Sequence, residues 1–335
     1  MPRGDYQDLS LGNLKVPVIT FINLIRSKLA SPYKRELLVA HLKREYNTGP
    51  ESLISSGIIT HFGMNHYKLQ ADHSQVLNIL RKWTDRVDSP EITVSMCKNL
   101  MDSIISSHST PKGIDYIAVR SDLRMIVFEE MICEFQCIDL NQVEPKSFFI
   151  NIYNLLVLHS KSRSGIPRTN IARLLYFDRI KYNVGGHIFS LNDIENGVLR
   201  SHSRPLYHFR QCLTPVKVPL DFRVHFALNC GAKSCPSVQH FTSIGIDEEL
   251  RIVTKAFLED NFIIDGSTIT LSKIVGWYAS DFGKTKKDIL VAMKTFVSAS
   301  KIVQLENITN PKLVYSVYDW SDDSAKSMTY RPIIG

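Results

Sequence analysis

Apolar residues recur at helical spacing through the first part of the chain. Residues 15–30 and 33–47 each carry an apolar stripe, so two amphipathic helices are predicted. On the second helix, lysines and arginines lie on the side opposite the apolar stripe. The next stretch predicts a short helix, a break at Gly57 and two short strands around a turn at Gly63–Asn65. Helices followed by a small hairpin are typical of a winged-helix module; a purely structural helical cap is the alternative.

The pattern then predicts two more amphipathic helices, around Val76–Trp83 and Thr93–Ser106. Serine, threonine, proline and glycine follow in succession at 107–116, a composition typical of a linker. We therefore predict a helical or winged-helix module over residues 1–110 and a second domain over residues 120–325.

The second domain is predicted to contain a helix that is apolar on nearly every side, residues 145–160, which should therefore be buried. Three polar side chains interrupt it: Asn151, Asn154 and His159. A buried amide without a hydrogen-bond partner costs about 1–3 kcal/mol, so each of these groups needs a partner. The two asparagines either tie the helix to neighbouring loops or orient a catalytic histidine.

Short elements follow the buried helix. Gly185 and Gly186 predict a tight turn before a strand over His187–Phe189, and a further helix comes next. On that helix Glu195 and Arg200 lie about one turn apart, which predicts their use in a buried ion pair between elements. The predicted fold class is α+β, with a short mixed sheet surrounded by helices in the second domain.

The densest group of reactive side chains lies at 224–238, where an apolar, strand-like segment ends in a polar cluster. His225, Asn229, Cys230 and Cys235 fall within eleven residues. Imidazole and thiol groups together are the usual parts of a thiolate nucleophile or a metal site. This segment is therefore the predicted functional site.

Charged residues on either side are predicted to belong to a polar network around the site. Asp221 and Arg223 lead into the predicted strand, and Asp221 is a candidate partner for Arg200 or Arg223. Near the C-terminus, Asp319 stands where a closing strand leaves the sheet, which makes it a candidate buried partner for Arg223 or His225.

The first interpretation of the cluster is a thiol enzyme, with Cys230 as a nucleophile whose pKa is lowered by a nearby helix start. Strand alternation puts Cys230 and His225 on opposite faces unless the chain bends at Asn229, so another histidine is an alternative base. The candidates for the base and its orienting group are His225, His187, His159, Glu195 and Asn151.

Three other interpretations of the cluster stay open. A metal site would use Cys230, Cys235 and His225, but structural zinc sites favour a shorter spacing between cysteines. A redox pair forms if the loop folds back and brings the two sulfurs together. In the last interpretation both cysteines are buried small residues that help the strand pack. No metal and no cofactor are predicted.

Composition narrows the class of protein. Hydrophobic residues make up 44% of the 335 residues and charged residues 22%, which is ordinary for a soluble globular protein. No apolar run approaches the roughly 18–20 residues that span a bilayer, and the N-terminus lacks the apolar core of a signal peptide. The six cysteines are therefore expected to be reduced, in a cytoplasmic protein that is not an integral membrane protein.

The net charge of +7 draws attention to acidic partners. The basic residues are dispersed, however, and no zinc finger, RNA-binding signature or phosphate-binding loop is present. No specific nucleic-acid partner is predicted.

Five phrases carry a family resemblance. They are FFINIYNLLVLH (148–159), YNVGGHIFSLNDIENGVLR (182–200), DFRVHFALNCGAKSCPSV (221–238), IVGWYASDF (274–282) and VYSVYDW (314–320). In order and spacing they resemble the family filed as domain of unknown function 547, over about residues 121–322. The resemblance implies no established activity. It also implies that serine occupies the position of Cys235, and at times that of Cys230, in some plant-type members, whereas this chain keeps both thiols.

The N-terminal part resembles a shortened DEP domain at Gly57–His61 and Tyr67–Leu69. The resemblance to domain of unknown function 547 also implies that some members of that family carry DEP or glutaredoxin modules. A DEP-like module implies docking on a protein partner or a membrane-associated partner. Two functions are thus predicted: a cysteine-dependent hydrolase or acyl transferase that uses Cys230 with a histidine base, or a non-catalytic interaction or signalling protein that docks through its N-terminal module.

Overall fold

The computed structural model describes residues 76–201 and 214–330, together with short strands in the N-terminal part. Ile59–His61 and His66–Leu69 pair antiparallel, at the position of the predicted hairpin. The other N-terminal strands are Leu9–Leu11, Leu14–Val16 and Tyr33–Lys34. Apart from these strands, the predicted winged-helix module lies outside the described residues, so the module and its DEP-like character stay predictions.

Helices make up most of the regular structure and the strands form small separate sheets, so the predicted α+β class is confirmed. None of the helices in the described part is long and apolar enough to cross a membrane. Between residues 76 and 330, outside the gap at 202–213, the α-helices are Pro90–Ser107, Tyr116–Ser121, Arg124–Met131, Pro145–Arg163, Asn170–Arg179, Ile246–Asn261, Lys273–Trp277, Ala279–Phe282, Lys286–Lys294 and Ala299–Glu306. The remaining helical turns are the 3-10 helices Ile132–Cys137 and Phe222–Phe226 and the π-helix Asp193–Leu199.

The sheets between residues 76 and 330 are small. A hairpin pairs Lys181–Val184 with His187–Ser190 through a turn at Gly185 and Gly186, whose φ angles of 59° and 80° suit glycine. The other two sheets each combine an antiparallel and a parallel pair. Their strands, in spatial order, are Phe262–Asp265, Thr268–Leu271 and Lys312–Tyr315 in one sheet, and Ser109–Thr110, Gly113–Asp115 and Ser324–Lys326 in the other.

The helix Pro145–Arg163, called here the central helix, is buried along nearly its whole length, as predicted. A proline stands in its first turn, and the Glu144 carboxylate accepts a hydrogen bond from the Ser147 N–H at 2.6 Å. Both features favour a helix start at this point. Side chains on different sides of the helix, such as Phe149 and Leu155, are fully buried in the same core. The helix therefore passes through the interior of the protein.

The same core takes in residues that precede the predicted domain boundary. Leu77 belongs to it, and so do Val94 and Met101 of the helix Pro90–Ser107. Because these residues share one apolar core with the central helix, we propose that the second domain begins near residue 76.

A second apolar core lies in the C-terminal part, built from the helix Ile246–Asn261 and the elements that follow it. The 3-10 helix Phe222–Phe226 stands between the two cores, because Val224 packs in the first and Phe226 in the second. His225 therefore lies at the seam between the two cores.

The prediction of a strand at the start of 224–238 is wrong. The chain forms the 3-10 helix Phe222–Phe226 there, and the Asp221 carboxylate accepts a hydrogen bond from the Arg223 N–H at 3.1 Å at its start. A short apolar run suits a buried helical turn as well as a strand, so hydrophobic periodicity could not separate the two.

The predicted helix around Val76–Trp83 is also absent from this described segment. The Leu77 N–H donates to the Lys181 carbonyl at 2.9 Å, and the buried Asn78 side chain bonds both the N–H and the carbonyl of Asn183. These bonds hold the segment along the hairpin, because the Asn78 amide offers the backbone an alternative to helical hydrogen bonding.

Replacing Leu155 by alanine tests the buried central helix. The side chain is fully buried, so its truncation should lower the free energy of unfolding by about 2–5 kcal/mol. The matched control is Leu123→Ala, because Leu123 is 78% exposed and its loss should change stability by less than about 0.5 kcal/mol. Urea unfolding followed by tryptophan fluorescence measures both, and equally small effects would contradict the buried placement.

Candidate functional site

The thiols of Cys230 and Cys235 are in direct contact, with 2.7 Å between the two sulfurs. The Cys235 N–H donates to the Ala232 carbonyl at 3.0 Å, and this turn brings the second cysteine back to the first. The Cys230 N–H in addition donates to the Cys235 sulfur at 3.1 Å. Both side chains are half-buried. The loop thus folds two thiols with four residues between them into one pair.

Two asparagines of the central helix hold the backbone on either side of this pair. Asn154 donates to the Ala227 carbonyl at 3.0 Å and accepts from the Asn229 N–H at 2.9 Å. Asn151 donates to the Phe241 carbonyl at 2.7 Å and accepts from the N–H of the same residue at 3.0 Å. Each amide satisfies a donor and an acceptor on one stretch of backbone, so each works as a clamp between the helix and a loop.

Asn229 continues the clamp into the loop itself. Its side chain donates to the Pro236 carbonyl at 2.6 Å and accepts from the Gly231 N–H at 2.7 Å. Gly231 follows the first cysteine and Pro236 the second, so this side chain closes the loop across its base. Gly231 has a φ of 89°, and a Cβ there would lie 2.4 Å from Cε of Lys161, so the position requires glycine.

A segment near the C-terminus, residues 318–323, lies across the cysteine loop and is called here the C-terminal strap. The Tyr318 hydroxyl lies 3.0 Å from the Cys235 sulfur and 3.4 Å from that of Cys230. The backbones also pair, since the Lys233 N–H donates to the Ser321 carbonyl at 2.7 Å. The strap therefore places a phenolic hydroxyl on both thiols at once.

The surroundings make the two thiols differ in acidity. Burial alone would raise the pKa of Cys235, but hydrogen bonds from the Cys230 thiol, the Tyr318 hydroxyl and the Cys230 N–H lower it below its usual value. The bond to Cys235, together with burial, raises the pKa of Cys230. When the pair loses one proton, the negative charge therefore lies on Cys235, and the two thiols share the proton that remains.

His225 has its hydrogen-bond partner at the seam between the cores. Its Nε2 lies 2.8 Å from Oδ2 of Asp281, and this nitrogen carries the hydrogen because a carboxylate only accepts. Arg200 donates to both oxygens of the same carboxylate, at 2.6 and 2.9 Å.

Burial lowers the pKa of His225 despite its hydrogen bond to Asp281. Burial alone would raise the pKa of Asp281, but the bonds from His225 and Arg200 hold it well below its usual range. At neutral pH the seam therefore holds a neutral imidazole beside an Arg–Asp ion pair.

Glu195 joins the seam to the surroundings of the thiols. Its carboxylate accepts hydrogen bonds from the hydroxyl of Tyr278 and, at 3.3 Å, from that of Tyr153. The Tyr278 ring stacks on the ring of His225 with 4.0 Å between centroids. Burial and then the charges of Glu195 and the two cysteines raise the pKa of Tyr153. The buried ion pair predicted for this helix is thus made by Arg200, whereas Glu195 serves two tyrosines.

The other candidate histidines are not hydrogen-bond partners of the thiols. His187 is exposed on its strand of the hairpin, and the fully buried His159 has its Nδ1 atom 2.9 Å from the Tyr182 hydroxyl. Within the described residues, no imidazole is a hydrogen-bond partner of either cysteine sulfur. None of the histidines whose side chains are described is therefore placed as a base for Cys230.

Asp221 and Arg223 pair with each other, one of the two predicted alternatives, with 2.8 Å between the guanidinium and the carboxylate. Asp319 is exposed, and its carboxylate accepts a hydrogen bond from the Ser321 N–H at 2.8 Å. The prediction that Asp319 is a buried partner of Arg223 or His225 is therefore wrong, because nearer carboxylates occupy both groups.

The other described cysteines are not paired with one another. Cys97 and Cys133 are buried, and burial raises the pKa of Cys133 to about 12. Cys137 is half-buried, and Cys212 lies outside the described residues. In the part of the chain that the structure describes, no group of three or more histidine, cysteine or acidic side chains is arranged to hold a metal ion.

Comparison with known proteins finds one family that part of this chain resembles. Residues 138–258 match the family model described as "Protein of unknown function, DUF547". This segment resembles the DUF547 family. The matched range contains the central helix, the hairpin at 181–190 and the loop with both cysteines, so the resemblance predicted from the phrases is confirmed there. No curated protein and no solved structure matches the chain.

Sequence reasoning missed several residues of the site, above all Asp281, Tyr318 and the tyrosines that bond Glu195. Asp281 and Tyr318 lie beyond the range that matches DUF547, within the phrases IVGWYASDF and VYSVYDW. Those phrases mark both residues as candidates. They carry no signal that one meets His225 and the other meets the thiols.

Replacing Asp281 by asparagine tests the seam. The change leaves the buried Arg200 guanidinium without its carboxylate, so the free energy of unfolding should fall by about 3–5 kcal/mol. Asp319→Asn is the matched control, because this exposed carboxylate should contribute less than about 0.5 kcal/mol. Chemical unfolding at neutral pH measures both variants. A larger loss for Asp319→Asn than for Asp281→Asn would contradict the assignment of the buried partner.

Proposed function

We propose that Cys230 and Cys235 form a redox-active dithiol that exchanges with low-molecular-weight disulfides. The observation that carries the proposal is the 2.7 Å contact between the two sulfurs. They lie within about 1 Å of the length of a disulfide bond. The half-buried position of both thiols and their shared proton also support it, since a reactive thiol needs access and thiolate character.

The two thiols take different roles in this proposal. Cys230 lines an open cleft and is therefore the thiol that meets a disulfide R–S–S–R. It passes its proton to Cys235 and then attacks one sulfur of that disulfide. The S–S bond breaks, R–S⁻ leaves, and it takes the shared proton from Cys235. The Cys235 thiolate then attacks the Cys230 sulfur of the mixed disulfide and releases the second R–S⁻. The dithiol loses two electrons to the disulfide, which becomes one thiol and one thiolate, and the thiolate takes a proton from water.

The same geometry supports the reverse reaction. A small thiolate R–S⁻ attacks the Cys230 sulfur of the oxidised pair, and Cys235 leaves as a thiolate. A thiol with a lowered pKa leaves faster, and the pKa of Cys235 is lowered by its hydrogen bonds to Tyr318 and the Cys230 backbone.

A cysteine-dependent hydrolase or acyl transferase, the first function predicted from the sequence, needs a base beside its nucleophile. Among the described residues the thiols have each other and Tyr318 as side-chain partners, and the Nε2 atom of His225 is bonded to Asp281. This arrangement favours a dithiol over that function.

We also propose a reducing, cytoplasmic setting, in which the dithiol cycles against small thiols. Docking on a protein or membrane-associated partner through the N-terminal module is a second proposal. The antiparallel pair Ile59–His61 and His66–Leu69 supports it, since a hairpin at this position is part of the predicted module.

Replacing Cys235 by serine should trap the intermediate. With the resolving thiol removed, a mixed disulfide with a small disulfide accumulates on Cys230, whereas the unmodified protein proceeds to an internal Cys230–Cys235 disulfide. Mass spectrometry of non-reduced peptides distinguishes the two products. Cys137→Ser is the control, because Cys137 is a half-buried thiol outside the pair and its loss should leave the internal disulfide unchanged.

Failure of the unmodified protein to form the internal disulfide with excess small disulfide would falsify the proposed function. Equal labelling of Cys137 and Cys230 in the Cys235→Ser variant would also contradict it, because the pair would then have no special reactivity.

Replacing Tyr318 by phenylalanine should make the thiols less acidic. The pKa of Cys235 is lowered, so alkylation of its thiol by iodoacetamide should reach half its maximal rate at a lower pH than the value near 8.5 of an ordinary thiol. The rate should decline as the pH falls through the pKa of Cys235. Loss of the hydroxyl bond should reduce the thiolate fraction at pH 7 by about tenfold. Tyr315→Phe is the matched control, a half-buried tyrosine elsewhere. Superimposable pH profiles for all three proteins would rule out a role for Tyr318.

A further inference from the structure

The C-terminal strap is joined to paired strands at both of its ends. The strand Lys312–Tyr315 precedes it and the strand Ser324–Lys326 follows it, and each is paired in a sheet. At the last residue of the strap, the Asp323 carboxylate contacts the buried ammonium group of Lys161 on the central helix at 2.7 Å. The middle of the strap can therefore lift from the cysteine loop while both ends stay in place.

The middle of the strap is held by residues that lie between the two cysteines. The Lys233 N–H donates to the Ser321 carbonyl at 2.7 Å, and the Asp319 N–H donates to the Ser234 hydroxyl at 2.8 Å. A disulfide shortens the distance between the sulfurs from 2.7 Å to about 2.05 Å. It also closes a ring that runs through Lys233 and Ser234, so bond formation acts on the residues to which the strap is attached.

Tyr318 contacts the sulfurs themselves, at 3.0 Å for Cys235 and 3.4 Å for Cys230. When the reduced pair has lost one proton, the negative charge lies on Cys235. A hydroxyl that donates to a thiolate makes a charge-assisted hydrogen bond, which is stronger than a bond between neutral groups. A disulfide carries no charge, and a neutral sulfur is a weak acceptor. Oxidation therefore weakens the contact between the strap and the two sulfurs.

Aromatic packing holds the strap in both redox states. The ring of Tyr318 lies 4.7 Å from that of Trp277 and 4.6 Å from that of Trp320, measured between centroids. These contacts do not depend on the charge of the sulfurs. Oxidation should therefore shift the equilibrium between the closed and the lifted strap without expelling the strap from the protein.

We infer that the C-terminal strap is a redox-sensitive lid on the dithiol, held on the reduced pair by Tyr318 and loosened when Cys230 and Cys235 form a disulfide. This inference rests on the proposed function. The bond changes are those of the exchange reaction above, so the small disulfide is the oxidant and no further reactant is needed. The loosened lid gives a small thiol better access to the oxidised pair.

The coupling between the lid and the redox state is reciprocal. The hydroxyl of Tyr318 bonds the reduced pair more strongly than the oxidised pair, so it stabilises the reduced form. A more stable reduced form raises the reduction potential of the pair. Loss of the hydroxyl should therefore favour the internal disulfide at equilibrium.

Hydrogen exchange of the full chain tests the lid without a substitution. The protein is reduced with 2-mercaptoethanol or oxidised with hydroxyethyl disulfide, and exchange at pH 8 is followed by mass spectrometry of peptides within residues 316–323. The amides of the strap should exchange about tenfold faster in the oxidised protein, because a charge-assisted hydrogen bond is lost. Peptides of the hairpin at 181–190 are the internal control and should exchange equally in both states.

Replacing Tyr318 by phenylalanine should abolish this difference, because the reduced strap should then exchange as fast as the oxidised one. The same variant should shift the equilibrium with 2-mercaptoethanol and hydroxyethyl disulfide about tenfold toward the internal disulfide, which lowers the reduction potential by about 30 mV. Tyr315→Phe is the matched control, a half-buried tyrosine in the strand before the strap, and should leave both quantities unchanged.

The outcomes separate the two proposals. Equal exchange of the strap in both redox states, or slower exchange after oxidation, would overturn the lid, while the internal disulfide still formed and the proposed function stood. A tenfold difference that persists in Tyr318→Phe would overturn it too, because the hydroxyl would then not be the contact that oxidation weakens. Absence of the internal disulfide with excess hydroxyethyl disulfide would remove the proposed function and the lid with it.

Discussion

The structure depends on one constraint: the central helix is apolar on nearly every side, so the few polar groups it carries must be satisfied inside the protein. Asn151 and Asn154 meet this requirement by bonding backbone groups of two loops, at Phe241 and at Ala227 and Asn229. An unsatisfied amide at either place would cost about 1–3 kcal/mol. The need to satisfy two buried side chains thereby fixes the loop that carries both cysteines.

The second organising feature is the seam between the two apolar cores. Asp281 reaches it from the C-terminal part, and Arg200 and His225 reach it from the DUF547-like segment. Burial keeps the imidazole neutral, so the carboxylate is balanced by the guanidinium alone. Removing one partner of such a buried ion pair costs more than the intact pair contributes to stability. Placements of the two cores that separate Asp281 from Arg200 are therefore disfavoured. Glu195 and its tyrosines extend this polar region toward the thiols.

Sequence reasoning succeeded where the signal was local. The buried helix and the glycine turn at 185–186 follow from periodicity and backbone preferences, and the structure has both. It failed at 224–230, where a short apolar run fits a strand and a helical turn equally well. Because the strand was wrong, the alternation argument about His225 and Cys230 had no basis in the folded chain.

The amino-acid sequence by itself determined that the central helix is buried, which residue types in the cysteine loop are reactive and which family the phrases resemble. Tertiary structure alone decided how those groups are paired. Tyr318 meets the thiols across more than eighty residues, and Asp281 meets His225 across 56. Hydrophobic periodicity records how far a residue is from water, but it holds no information about which distant backbone or side chain arrives beside it. That depends on the path of the whole chain, set by the packing of two cores around the central helix.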